Sequence, residues 1–229
     1  MTTISEPVTR PVTLYVYDHC PFCVRARMPL GLKSIPHELV FLPNDDEATP
    51  IGMIGRKMLP ILEDGAGFTA ESLDIVARLD ERAPARMFGQ KPRDVILSWI
   101  ERWDHAVNGL VIPRTPDPVF PEFARLSSRQ YFTRKKEESF GAFSGLLERT
   151  GDFLSQIAEG LEALVPVLPD PEKPSMDDIV LFPVLRSLTI LPDLLFPAPV
   201  ERYLQRMAER SAVPLVSTLR ERQKNAARP

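Results

Sequence analysis

Hydrophobic and polar positions alternate at two different spacings in the first third of the chain. Residues 12–17 are rich in β-branched and aromatic side chains, which is typical of a strand, and the positions after Cys20 recur at helical spacing until Pro36 ends the helix. The same criteria predict strands at 39–42, 60–62 and 68–69, the last after a hairpin turn, and helices at 51–54 and 71–82. The order βαβ followed by ββα predicts a thioredoxin-like α/β fold, with helices packed against a small sheet.

The pattern changes after residue 82. Residues 83–92 contain two prolines and a glycine, and they are predicted to form a linker between a first domain, residues 12–82, and a second, residues 93–229. Only helical spacing follows the linker. Helices are predicted around Trp99 and Trp103, at 128–149, at 153–164, after a capping Ser175 and finally at about 200–208. The second domain is therefore predicted to be all-α.

Composition and charge exclude several classes of protein. The chain has 28 basic and 31 acidic side chains, a formal net charge of −3, so neither nucleic acid nor an anionic membrane is expected as its main partner. The longest apolar run, residues 179–185, is too short to span a bilayer, and residues 1–11 show no secretory signal. Two cysteines in 229 residues cannot form a secreted disulfide framework, so we expect a cytoplasmic protein.

The two cysteines, Cys20 and Cys23, flank Pro21 and Phe22 where the first strand is predicted to meet the first helix. Amide groups at a helix N-terminus stabilise a thiolate and lower a cysteine pKa from about 8.5 to roughly 3.5–7.5. Cys20 is expected at the helix cap and exposed, whereas Cys23 lies one turn further on and is more buried. We therefore expect Cys20 to attack as the thiolate and Cys23 to act as the resolving thiol.

The alternative interpretation of this cysteine pair is half of a zinc site. Zinc needs four ligands, and the chain offers no other cysteine and only His19, His37 and His105, so no metal is predicted. Two interpretations of His19 stay open. It either tunes the neighbouring thiolate through its charge or is a surface residue with little effect.

Segments along nearly the whole chain resemble the glutaredoxin 2 family. They are residues 15–23, 26–28, 44–46, 60–62 and 71–76 in the first domain, and 131–132, 135–137 and 178–186 in the second. The resemblance implies the two-domain architecture of glutathione transferases. It also implies a monomeric glutathione-dependent oxidoreductase acting on protein–glutathione mixed disulfides and protein disulfides, with reduced glutathione as co-substrate and no bound cofactor. The family commonly has tyrosine where this chain has Phe22, which leaves the tuning of the redox potential open.

Two residue pairs are predicted to bind glutathione. By spacing alone, Leu59-Pro60 is either an ordinary trans bond or a cis-proline loop; the resemblance favours the cis form, which turns the Leu59 backbone towards an extended peptide. Glu71-Ser72 either only favours the helix that follows or holds the γ-glutamyl charges, and the resemblance favours the second. Glu71 would then pair with the ammonium and Ser72 with the carboxylate. The cation for the glycine carboxylate stays open among Arg25, Arg56 and Lys57.

Other functions share some of these features. An omega-like glutathione transferase or a dehydroascorbate reductase would have the same architecture, but transferases that activate glutathione through serine or tyrosine do not need Cys23. A non-catalytic glutathione-binding module would need neither cysteine. Iron–sulfur cluster binding by two protomers through Cys20 and glutathione is a further alternative. Trp99 and Trp103 either line an acceptor cleft between the domains or, as we favour, belong to the core.

Overall fold

The first part of the chain is built around a strand whose residues are alternately buried and half-buried. In the computed structural model, which describes residues 11–82 and 86–226, this strand lies inside a four-stranded sheet. The elements are β1 (Val12–Val16), α1 (Pro21–Leu32), β2 (His37–Phe41), α2 (Ala48–Ile54), β3 (Ile61–Asp64), β4 (Gly67–Ala70) and α3 (Ser72–Glu81). The strand order is β2-β1-β3-β4, and β1 pairs parallel with β2 and antiparallel with β3. The predicted thioredoxin-like α/β fold is confirmed.

The β3–β4 hairpin forms at the predicted turn and is held against α3. Asp64 pairs with Gly67 across the turn, and its carboxylate accepts a hydrogen bond from the Ala66 amide at 2.9 Å. Arg78 of α3 donates to both carboxylate oxygens of Asp64, at 2.7 and 2.8 Å. Helix α3 is thereby attached to the hairpin through a residue of its last turn.

Helices make up the second part, as predicted. They are α4 (Asp94–Val111), α5 (Leu126–Phe140), α6 (Phe143–Glu148), α7 (Thr150–Leu164), α8 (Met176–Leu188), α9 (Ala198–Ser211) and α10 (Val216–Ala226). The single helix predicted at 128–149 is wrong, because Gly141, with φ of 82°, ends α5. The prediction of a last helix at 200–208 is also wrong, since α10 follows it. Only Val216 of α10 is buried, so its apolar spacing is too weak to reveal a helix.

Trp99 and Trp103 are buried in the core of the helical part. The Trp99 indole N–H donates to the carbonyl oxygen of Gly160 at 2.6 Å, and a Cβ on Gly160 would lie 2.8 Å from the Trp103 indole. The interpretation of these two residues as core is confirmed.

The predicted linker is held by a buried carboxylate. Residues 83–85 of it lie outside the described residues, as do residues 1–10, which were considered for a signal, and 227–229; residues 86–93 form neither helix nor strand. The Asp80 carboxylate accepts hydrogen bonds from the Met87 and Phe88 amides at 2.9 and 3.0 Å. No helix within the described ranges is long and apolar enough to cross a membrane.

Helix α1 packs against α8 and α9, so the element that begins at the cysteine pair is also a contact between the two parts. The contact is close at Gly31. A Cβ built there would lie 2.0 Å from the carbonyl oxygen of Ser211, at the end of α9. Only glycine allows this approach, because a backbone oxygen cannot move aside as a flexible side chain can.

Gly31→Ala is therefore expected to destabilise the protein by about 1–3 kcal/mol, the usual cost of overpacking. The control is Gly52→Ala in α2, where nothing lies within 4 Å of the added Cβ. Alanine is the better helix former, so the control should be neutral or more stable by up to about 1 kcal/mol. Urea denaturation midpoints measure both effects, and equal midpoints would contradict the close contact of α1 with α9.

Candidate active site

Cys20 is the N-cap of α1, with extended backbone angles of −75° and 121°, and Pro21 opens the helix. Proline suits this position because its missing N–H would have no partner in the helix. Cys23 lies in the first turn and is completely buried. Cys20 is half-buried rather than exposed, because side chains of the helical part stand over it.

The pKa values of the two thiols are shifted in opposite directions from the ordinary cysteine value. A hydrogen bond from the Cys23 thiol, together with the charge of His19 and the amides of Cys23 and Phe22, lowers the pKa of Cys20 to about 6, although burial opposes this. Burial raises the pKa of Cys23 well above its ordinary value, and the hydrogen bond to Cys20 adds to this rise. Cys20 is thus the thiolate and Cys23 the neutral thiol near pH 7, which is the order expected from their places on the helix.

The peptide bond between Leu59 and Pro60 is cis, in agreement with the form that the family resemblance implies. Both residues are buried and lie directly before β3. Leu59 belongs to the same apolar cluster as Cys23, and Cys20 packs against that cluster. The fold therefore brings this loop and the cysteine pair together.

Glu71 and Ser72 lie at the start of α3, but not as ordinary caps. Glu71 is the N-cap and makes no capping hydrogen bond through its side chain, while Ser72 is already the first helical residue and is buried. Ser72 is therefore not the N-cap of α3. Glu71 has φ of 67°, a left-handed value that costs a residue with a side chain on the order of 1–3 kcal/mol. Its exposed carboxylate pairs with Arg56 at 2.9 Å.

The three candidate cations occupy different surroundings. The Arg25 guanidinium lies 4.8 Å from the centre of the Phe22 ring, in the same cleft as Cys20. Arg56 is paired with Glu71. The Lys57 ammonium donates to the carbonyl oxygen of Asn44 at 2.7 Å and lies 3.6 Å from the centre of the Tyr131 ring, on α5.

A cleft of about 390 Å³ opens beside Cys20, between the start of α1 and helices α4, α5 and α8. Its walls are mainly apolar, with Phe132 and Phe140 on one side, and Arg25, Asp104 and Lys136 are the charged residues that line it. Trp99 and Trp103 do not line this cleft. Within residues 11–82 and 86–226, no group of three or more histidine, cysteine, aspartate or glutamate side chains could hold a metal ion.

A buried ion cluster holds the loop before Cys20 and was not predicted from the sequence. The Asp18 carboxylate accepts hydrogen bonds from Arg27 and, at 2.8 Å, from Arg186 of α8. Arg186 also donates to the carbonyl oxygens of Asp18 and Pro214, both at 2.7 Å. Burial raises the pKa of Asp18, but the two guanidinium groups outweigh it and lower the pKa overall. The visible signal was Arg186 itself, since an arginine within an apolar helix needs a partner.

His19 is held by a second residue that the sequence did not indicate, Glu122, which lies in a short turn between α4 and α5. The Glu122 carboxylate accepts a hydrogen bond from the His19 amide at 2.9 Å and lies 2.6 Å from the His19 ring nitrogen Nδ1. The His19 side chain is only 14% exposed, so its interpretation as a surface residue is wrong. His37 and His105 lie elsewhere, His37 against the carbonyl oxygen of Ile35 and His105 against the Phe153 ring.

Two thiols within one helical turn, one with a lowered pKa and one with a raised pKa, are suited to thiol–disulfide exchange. The first attacks readily while the second stays protonated. The first turn of α1 on a thioredoxin-like sheet is where this chemistry is expected. Fold and site together define the class, a thiol–disulfide oxidoreductase.

Comparison with known proteins narrows this class. Residues 95–219 match the model of the glutaredoxin 2 C-terminal domain, and residues 14–87 match that of the glutathione S-transferase N-terminal domain. Glutaredoxin 2 of Escherichia coli strain K12 is 38% identical over 211 residues, which cover 90% of this chain and 98% of the relative. The chain therefore belongs to the glutaredoxin 2 family of glutathione-dependent oxidoreductases.

Solved structures agree with this assignment. The crystal structure of glutaredoxin 2 from Salmonella typhimurium in complex with glutathione is 41% identical, with a TM-score of 0.86, and the match covers 91% of this chain and 98% of that one. An omega 3C glutathione transferase from Trametes versicolor is 17% identical, with a TM-score of 0.51 and coverage of 96% and 93%. The second likeness shows the fold alone.

Brief alkylation near pH 7 is expected to label Cys20 far more than Cys23, because only Cys20 is both accessible and ionised. The rate should fall as the pH drops through about 6, where the Cys20 thiolate takes up a proton. Mass mapping of the labelled peptides at several pH values measures this. Urea-denatured protein is the control, in which both cysteines should react with a midpoint of about 8.5. Preferential labelling of Cys23 in the folded protein would reverse the assigned roles.

Proposed function

We propose that this chain reduces mixed disulfides between glutathione and proteins, with Cys20 as the nucleophile. The observation that carries this proposal is the placement of the cysteine pair: Cys20 caps α1 at an open cleft, whereas Cys23 is buried in the first turn of the helix. The Cys20 thiolate attacks the glutathione sulfur of the mixed disulfide. The bond to the protein sulfur breaks, Cys20 becomes linked to glutathione, and the protein leaves as a thiolate that takes up a proton.

A second glutathione completes the cycle. Its thiolate attacks the glutathione sulfur bound to Cys20, which forms glutathione disulfide and returns the Cys20 thiolate. When the substrate is a disulfide within a protein, Cys20 instead becomes linked to that protein. Cys23 then attacks Cys20, releases the reduced protein and leaves an enzyme disulfide that two glutathione molecules reduce. Reduced glutathione is thus the electron source, and no bound cofactor takes part in the proposed cycle.

Glutathione is proposed to lie across Leu59, Pro60, Glu71 and Ser72. An extended peptide beside the Leu59 backbone would lie next to the cluster that contains Cys23. The first amides of α3 and the Ser72 hydroxyl suit the γ-glutamyl carboxylate, because a helix N-terminus favours an anion. The Glu71 carboxylate suits the ammonium, since its present pair with Arg56 is exposed and such pairs contribute little. The strained backbone at Glu71 is typical of a ligand-binding position.

The remaining parts of the proposal concern the protein as a whole. We expect it to act as a monomer in the cytoplasm on glutathionylated or disulfide-containing proteins. Residues 12–82 would form the domain that carries the cysteines, and residues 93–229 the helical domain that covers them, with 83–92 as the linker.

Glu71→Ala combined with Ser72→Ala is expected to weaken glutathione use by about 2–4 kcal/mol in apparent transition-state binding, as for two charge-assisted contacts. The measurement is kcat/KM for glutathione in reduction of a small mixed disulfide. Asp74→Ala is the control, because it removes an exposed carboxylate from the same helix turn and should leave kcat/KM unchanged. Unchanged kinetics in the double variant would refute the binding assignment.

Cys20→Ser is expected to abolish reduction of glutathione mixed disulfides, because no other sulfur is placed to attack. Cys23→Ser should retain much of this activity, since free glutathione resolves the intermediate. The same variant should be strongly impaired towards disulfides within proteins, where Cys23 acts at high effective concentration. Assays with one glutathionylated protein and one protein disulfide test this pattern. Equal loss of both activities in the two variants would show that the mechanism is wrong.

A further inference from the structure

The Glu122 side chain reaches from the helical part to the residue next to Cys20. It extends from the 3-10 turn Pro121–Phe123. One oxygen, Oε1, accepts a hydrogen bond from the His19 amide and also contacts the His19 ring nitrogen Nδ1. The Glu122 carbonyl oxygen also accepts the Asn44 amide at 3.1 Å. Glu122 thus contacts two loops at the same end of the sheet, one of which carries Cys20.

The surroundings of this pair are mostly aromatic. The His19 ring stacks on Tyr17 with 5.7 Å between centroids, and Phe123 and Phe132 lie at 5.0 and 5.3 Å. Glu122 is buried, and its second oxygen, Oε2, has no hydrogen-bond partner among the described residues. A buried carboxylate with so few partners is costly unless a positive charge stands beside it. The basic group that stands there is the His19 ring.

Arg27 and Arg186 both pair with the Asp18 carboxylate, and neither forms an ion pair with Glu122 among the described residues. His19 is the basic side chain that contacts the Glu122 carboxylate. The remaining titratable or charged groups that face His19 are Tyr17 directly after β1, Cys23 and Arg25 on α1, Asp104 on α4 and Lys136 on α5.

We propose that Glu122 is a positioning residue for the reaction at Cys20. Its carboxylate pairs with the His19 ring at Nδ1 and holds that ring beside Cys20, where the charge of His19 stabilises the thiolate. This inference rests on the proposed function and deepens it. A residue of the helical part then affects the reactivity of a cysteine that belongs to the sheet part.

Glu122 acts on Cys20 in two ways of opposite sign. Its own negative charge disfavours a second negative charge nearby, and it contributes to the raised pKa of Cys23 in this way. Through His19 it favours the thiolate. If the path through His19 is the larger, loss of the carboxylate raises the pKa of Cys20 when His19 is present. When His19 is replaced, the same loss leaves that pKa unchanged or lowers it. A purely structural role predicts no such dependence.

The test compares Glu122→Gln, His19→Asn and the double variant. Glu122→Gln keeps the shape of the side chain and a hydrogen-bonding oxygen while removing the charge. His19→Asn removes the basic ring and keeps a polar side chain. The pH profile of Cys20 alkylation by iodoacetamide, an uncharged reagent, gives the midpoint for each protein. We expect each single variant to raise the midpoint by about one pH unit, because each weakens or removes the stabilisation of the Cys20 thiolate by His19. The double variant should not exceed His19→Asn.

Glu137→Gln is the matched control. Glu137 also accepts a backbone amide in the helical part, that of Phe143 at 2.9 Å, and it should leave the midpoint unchanged. An unchanged midpoint in Glu122→Gln, or an equal rise from it in the His19→Asn background, would overturn the inference. If Glu122→Gln does not fold, His19→Asn alone decides, because the absence of a rise there removes the path through His19.

Failure of this inference can be told apart from failure of the proposed function. Alkylation of Cys20 needs no turnover, so the midpoints are measurable whether or not the protein reduces mixed disulfides. A wild type that does not reduce glutathione mixed disulfides would refute the proposed function and leave the midpoint comparison valid. Normal reduction with identical midpoints in all variants would refute the role of Glu122 alone.

Discussion

The geometry of the site depends on the hydrogen bonds of the buried Arg186 guanidinium. It donates to the carboxylate and the carbonyl oxygen of Asp18, two residues before Cys20, and to the carbonyl oxygen of Pro214. A fully buried cation has to be paired, because its desolvation is costly. Helix α8, the loop before α1 and the segment before α10 are therefore held in one arrangement. The N-terminus of α1, and with it Cys20, is fixed relative to the helical part.

The helical part contributes to the chemistry of Cys20, because a reactive cysteine has to be both ionised and partly buried. A thiolate needs positive charge and amide groups, yet the partial burial that shapes a cleft around it opposes ionisation. The chain meets both needs from two directions. The first turn of α1 supplies amides and the Cys23 thiol, while the turn between α4 and α5 supplies Glu122, which holds His19. Asp18 and His19, the two residues before Cys20, are both held by the helical part.

Local features of the site could be predicted from the sequence, whereas its long-range contacts could not. The cap position of Cys20 and the β3–β4 hairpin are set by neighbouring residues, so spacing was enough to predict them. Glu122 lies 103 positions after His19, and Arg186 lies 168 positions after Asp18, so no local pattern links either pair. Arg186 could be recognised as unusual, because it is a charged residue within an apolar helix. Glu122 lies in a proline-rich stretch and showed no such signal.

The two cysteines depend on each other's charge, and this dependence orders the proposed steps. While Cys20 is a thiolate, the Cys23 thiol stabilises it by a hydrogen bond, and the same bond together with the charge on Cys20 keeps Cys23 protonated. Cys23 is then no competitor for the incoming disulfide. Once Cys20 has entered a disulfide its charge is gone, and two of the causes that raised the pKa of Cys23 disappear. Burial remains, so Cys23 ionises more readily but stays sheltered from other disulfides. The first attack thereby prepares the second sulfur to act on Cys20.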